Sequence, residues 1–103
     1  MRRGTTPTIV ITLPFYMNTV SNFEIYFSQY DELKLTKSMS ECDFDPESNI
    51  VTVTLSQEET LALGAERTDL QMRFYFVDGS VDATGIVRCK VGKILKDGEI
   101  DGN

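Results

Sequence analysis

The sequence predicts an all-β sandwich of about seven antiparallel strands with one short helix near 56–63. Three observations predict it. Apolar and polar residues alternate with period two through most of the chain, which puts successive side chains on opposite faces of a strand. Turn-forming residues recur at the spacing of sandwiches and small barrels. Only one helical signal interrupts the pattern, so the alternating rhythm of a parallel α/β sheet is missing.

The elements follow in order. Ile9, Ile11 and Leu13 alternate with Thr8, Val10 and Thr12, and Pro7 and Pro14 bracket them. Proline offers no N–H to a ladder, so this strand belongs at a sheet edge or end. Phe23, Ile25 and Phe27 then face one way, and Glu24, Tyr26 and Ser28 the other. Tyr30-Asp31-Glu32 makes a tight connection into a third run, where Leu33 and Leu35 alternate with Lys34 and Thr36; the two runs form a hairpin. A short run from Met39 to Phe44 precedes the turn Asp45-Pro46-Glu47-Ser48, in which proline presets the backbone and Asp45 can bond back to it.

Ile50 to Leu55 reads as a clean strand with Val51, Val53 and Leu55 inward. Ser56 with Glu59 three residues on is a capping box, and Gly64 is placed to end the helix that follows. A helix of about two turns here serves as a corner between sheets. The strongest strand carries Leu70, Met72, Phe74 and Phe76 against Gln71, Arg73, Tyr75 and Val77, and belongs in the middle of a sheet. Asp78-Gly79 is a hairpin signal. A short strand near Val81 leads through Gly85 into a last strand, Ile86 to Leu95, and Asp97-Gly98 is a second turn signal. Phe23, Phe27, Phe74 and Phe76 make the centre of the expected core.

The chain's 103 residues, 1–103, suit a single domain. The net charge of −6 repels phosphate backbones and anionic lipid, which argues against nucleic acid and membrane as partners. Acidic residues concentrate between Glu41 and Asp69, where Arg67 is the one basic residue, and read as a solvated face. Arg2 and Arg3 precede an apolar run, but Thr12 and Pro14 break it and no small-residue cleavage site follows, so the segment reads as a strand and not as an export signal. Two distant cysteines, Cys42 and Cys89, make neither a metal site nor a redox motif, and the sequence leaves open whether they are bridged.

Catalytic constellations are weak. Without histidine the chain lacks the commonest general base and metal ligand, and no carboxylate pair stands out, so no enzymatic activity, cofactor or metal is expected. Asp43, Asp45, Glu47 and Asn49 alternate as calcium ligands do, but Ser48 and Thr54 stand where such a loop needs Gly and Glu. Arg88, Lys90, Lys93 and Lys96 are too few for a nucleic-acid footprint and fit charges that guard a sheet edge or pair across strands. Tyr26, Arg73 and Tyr75 point away from the phenylalanine core. Tyrosine and arginine are enriched at protein interfaces, so these three are the candidate interface residues.

Several segments carry a resemblance. Met-Arg-Arg-Gly-Thr-Thr-Pro-Thr (1–8), Tyr-Phe-Ser-Gln (26–29), Leu-Thr-Lys (35–37), Val-Thr-Leu-Ser-Gln-Glu-Glu-Thr (53–60), Leu-Gln-Met-Arg (70–73) and Lys-Ile-Leu-Lys-Asp-Gly-Glu-Ile (93–100) occur in this order. The chain resembles small proteins encoded in phage and prophage structural gene clusters. It is more distantly similar to the immunoglobulin-like N-terminal domain of siphophage baseplate upper proteins. The resemblance implies an immunoglobulin-like sandwich in the virion or the host cytoplasm. It implies self-association or binding to other virion proteins, with no catalytic residues. A stand-alone ligand- or carbohydrate-binding sandwich is the alternative expectation.

Overall fold

The computed structural model describes residues 1–102. Its strands are β1 (Thr8–Thr12), β2 (Val20–Gln29), β3 (Glu32–Ser38), β4 (Asp43–Asp45), β5 (Ile50–Thr54), β6 (Arg67–Phe76), β7 (Val81–Ala83) and β8 (Val87–Lys90), with one α-helix, α1 (Gln57–Ala62). All strand pairs are antiparallel. One sheet runs β1-β5-β4; the other runs β3-β2-β6-β7, with β8 also on β6. Immunoglobulin-type sandwiches order one sheet A-B-E-D and the other C′-C-F-G. Here β1-β5-β4 matches B-E-D and β3-β2-β6-β7 matches C′-C-F-G. Among the described residues no strand holds the A position beside β1. Residues 1–7 run elsewhere: Arg2 makes a parallel bridge to Gly92, and Arg3 N–H donates to Gly92 O at 3.0 Å.

The alternating residues meet between the sheets as expected. Phe23, Ile25 and Phe27 of β2, Met72 and Phe74 of β6, and Val51 and Val53 of β5 are all buried. Each such side chain removed from water contributes roughly 1.5–3 kcal/mol before the entropy of ordering is subtracted. Phe76 is a correction in part: it lies half-buried at the rim, stacked on Phe74 at 6.2 Å. Phe15, unassigned by periodicity, covers that rim edge-on, 5.0 Å from Phe74 and 5.1 Å from Phe76. As expected, β1 is an edge strand and β6 an interior one.

The turns follow their residue types. Asp78 accepts the Ser80 N–H at 2.8 Å, and Gly79 takes φ +89°, joining β6 to β7. Asp45 accepts the Glu47 N–H at 3.0 Å in the β4–β5 hairpin, which is a turn and not an open ligand loop. The β2–β3 hairpin turns on Tyr30 and Asp31, both in the left-handed region at φ 52° and 61°. That is the requirement of a two-residue hairpin loop of matching twist.

Three sequence expectations change. The last strand is four residues, not ten, because beyond Lys90 the chain turns to meet residues 1–3. With β7 it forms one interrupted edge: β7 pairs Arg73–Tyr75, β8 pairs Arg67–Leu70, and Thr84 bridges the gap. Thr84 N–H donates to Met72 O at 2.9 Å, and its hydroxyl accepts Met72 N–H at 3.0 Å. Second, α1 does not end on a left-handed Gly64; the chain leaves through an extended Leu63. The Gln29 side chain takes over the capping, accepting Gly64 N–H and donating to Gly64 O, both at 2.9 Å. Third, Leu33 is exposed, and the inward position further along β3 belongs to Lys37, 6% exposed.

Lys37 reaches α1. Its Nζ donates to Glu59 Oε2 at 2.8 Å and Oε1 at 3.1 Å, and lies 3.3 Å from Glu41. The same Glu59 completes the capping box: Oε1 accepts Ser56 N–H at 2.8 Å, and Glu59 N–H donates to the Ser56 hydroxyl at 3.1 Å. For both groups burial opposes the charged form, but the ion pairing wins, so Lys37 is raised and Glu59 lowered.

Lys37→Met is expected to destabilise the domain by about 2–3 kcal/mol at pH 7, because it strands a partly buried carboxylate. A lowered Glu59 stabilises the fold above its unfolded value of 4.5 and loses that effect as pH falls through the folded value. Urea titrations should therefore show the gap between Lys37→Met and wild type narrowing below pH 4.5. A constant gap down to pH 3 (about 1.5 below the unfolded value) contradicts the account. On the alkaline side the contribution fades as pH rises through the raised Lys37 value, above 10.5. Asp31→Gly should stabilise by about 0.5–1 kcal/mol by relieving a left-handed non-glycine residue; thermal melts check this, and an unchanged or lower midpoint refutes it.

Candidate functional site

The outer face of the larger sheet collects the outward residues of β2 and β6. Period two along each strand and the antiparallel register bring them together: Glu24 stands opposite Arg73, Tyr26 opposite Gln71 and Asn22 opposite Tyr75. Val81 of β7 stands opposite Tyr75 on the other side. All three sequence-predicted residues, Tyr26, Arg73 and Tyr75, therefore share one face. They line a shallow cleft of about 170 Å³ with Asn22, Glu24 and Val81.

Contacts within the cluster are polar and local. The Tyr26 hydroxyl donates to Glu24 Oε1 at 2.9 Å. Partial burial raises the Tyr26 phenol, the Glu24 carboxylate adds to the rise, and Arg73 acts in the opposite sense. Tyr75 is 51% exposed and Arg73 is exposed. The face thus offers a carboxylate, a guanidinium and two phenols on adjacent strands of a sheet whose backbone bonds are already satisfied. Such a surface can stack on, hydrogen-bond to and ion-pair with a partner. Strand pairing fixes the backbone beneath these side chains, so binding there costs no backbone ordering.

Three members escaped the sequence reading: Asn22, at the start of β2, was not read as part of a strand face. Val81 sits on a three-residue strand too short for a clear period, and Glu24 read as an ordinary outward charge. The Tyr26–Glu24 bond joins residues two apart on one face of a strand, a spacing visible in the sequence. Of the four basic residues expected to guard an edge or pair across strands, Arg88 faces Asp69 across β8 and β6 at 3.4 Å and Lys90 ends β8, whereas Lys93 and Lys96 lie beyond the strand.

Neither cysteine stands where immunoglobulin domains bridge their sheets, on strands B and F. Cys42 precedes β4 and Cys89 lies in β8; both are free and half-buried, and burial is the main cause raising each thiol. Among the described residues no three His, Cys, Asp or Glu side chains converge on a metal-sized space, and no helix is long and apolar enough to cross a membrane.

No protein-family model matches the chain, and no curated protein matches it.

Glu24→Gln should lower the Tyr26 phenol toward 10.0, since the change removes a neighbouring charge that raises it. A spectrophotometric titration, with Tyr26→Phe assigning the signal, measures this. An unmoved or raised value breaks the proposed contact.

Proposed function

We propose that this domain is a non-catalytic structural or assembly module of a phage or prophage virion, of tail or baseplate type, acting through protein–protein contacts. The observation that carries the reading is the Glu24–Tyr26–Arg73–Tyr75 cluster, displayed on a flat sheet face of an immunoglobulin-ordered sandwich. Domains of this architecture commonly serve as recognition modules, and tyrosine and arginine are enriched among the few residues that carry most of the energy at interfaces. The resemblance to proteins of phage structural gene clusters adds the setting. A carbohydrate-binding reading draws on the same tyrosines, but the cleft of about 170 Å³ is smaller than the roughly 300–1,000 Å³ of small-molecule sites, which makes it the weaker one.

The test is affinity capture of the products of the protein's own gene cluster, alongside its mass in solution. A captured virion protein, or a defined oligomer, is expected. Arg73→Ala and Tyr75→Ala should each weaken that contact by about 2 kcal/mol, and leave the melting temperature close to wild type because both side chains are exposed and neither change sets like charges opposite each other. A monomer that captures nothing from its cluster overturns the reading.

A further inference from the structure

A second surface is built differently. Beside β1, between the smaller sheet and the β7–β8 edge of the larger one, lies a groove of about 670 Å³. Ile9, Ile11, Met72 and Ile86 are among its walls, and none of its lining residues is charged in a chain that is 25% charged. It is the place that strand A fills in an immunoglobulin sandwich, since A pairs on B and β1 is the B strand.

The edge of β1 is open to hydrogen bonding. Leu55 N–H donates to Pro7 O at 3.0 Å and Leu13 N–H to Asn49 O at 2.9 Å, which fixes the alternation of the ladder. Odd-numbered residues of β1 turn their backbone groups to β5, so the N–H and C=O groups of Thr8, Val10 and Thr12 face the free edge. Sheet edges are normally guarded by charge. The other edges here are: β3 has Lys34 and Lys37, β4 has Asp43 and Asp45, and β7 and β8 have Asp82, Arg88 and Lys90. Among the edge strands of the described residues, β1, Thr-Ile-Val-Ile-Thr, alone carries none.

We propose that the β1 edge and its groove bind an extended, uncharged segment of a partner chain, which adds to the smaller sheet as its missing outer strand. Alternate apolar side chains of that segment enter the groove, and its backbone pairs with Thr8, Val10 and Thr12. The match of charge selects this occupant. A Lys, Arg, Asp or Glu pointing inward would be desolvated against an uncharged wall with nothing to pair it. A second copy would have to lay its own β1 edge against this one; sedimentation of the free protein reads that outcome, and a dimer broken by Val10→Pro overturns the proposal. The proposal concerns a different face from the tyrosine cluster and holds or fails whatever the origin of the protein.

Two variants spare the fold. Val10 is 62% exposed and its N–H faces outward, so Val10→Pro removes the central edge donor at a position where strands tolerate proline. Gly85 has open space where a Cβ would stand and lines the groove, so Gly85→Leu fills the groove without displacing a neighbour. The experiment selects a random heptapeptide library on the intact protein and synthesises the most enriched peptide. Enrichment of sequences alternating apolar with uncharged polar residues is expected. The bound peptide should slow amide exchange at Thr8, Val10 and Thr12 at least tenfold, and each variant should weaken binding at least tenfold with an unchanged circular dichroism spectrum. Selection of no alternating sequence overturns the proposal; so does protection located elsewhere, or unaltered binding by both variants.

Discussion

The passage from the smaller sheet to the larger depends on one carboxylate. Glu59 closes the capping box that starts α1 and, with the same Oε1, accepts from Lys37 of β3. A helix of six residues has no stability of its own, since the cost of its first turn is spread over too few bonds. It persists because polar side chains from distant segments hold it. Lys37 ties its first turn, the Thr60 hydroxyl bonds Thr5 O at 2.8 Å, Arg3 donates to Leu61 O and Leu63 O, and Gln29 clasps Gly64. The corner is thus specified by hydrogen bonds, whereas the space between the sheets is specified by apolar shape.

That division explains where surfaces remain free. Polar groups at the corner are consumed by tethering, and their chemistry is not exposed. On the outer face of the larger sheet the backbone is fully paired, so side chains alone can meet a partner. At β1 the reverse holds: the side chains are plain, and the unpaired backbone is what remains. One domain therefore presents two kinds of contact, one by side chain and one by main chain.

The sequence made the two sheets legible because period two is a direct imprint of burial on one face. Residues of the outer cluster followed from the same arithmetic: Tyr26, Arg73 and Tyr75 had to be outward once Phe23, Phe27 and Phe74 were inward. Lys37 was illegible for the same reason. Period two put it on the inward side of β3, but a lysine is admitted there only if a carboxylate is waiting, and Glu59 is twenty-two residues away. The last strand is shorter than its alternation because the pattern continues through Val91, which is buried in the core but lies outside any strand. The groove had no sequence signature, since it is defined by a strand that is not there. Gly64 suggested a left-handed cap, and only the side chain of Gln29 shows why none is used.

The bridge between Arg2 and Gly92 has a geometric consequence. It gathers the first residues of the chain and those after β8 at one pole, beside the start of β6. The ten residues of β6 then carry the fold to the opposite pole, where the turns at Asp45-Pro46 and Asp78-Gly79 lie. Asp97 and Ile100 are held by Arg3 and by Gln57 of α1, so the described terminal segments gather around the helix corner and leave the acidic turns as a separate surface.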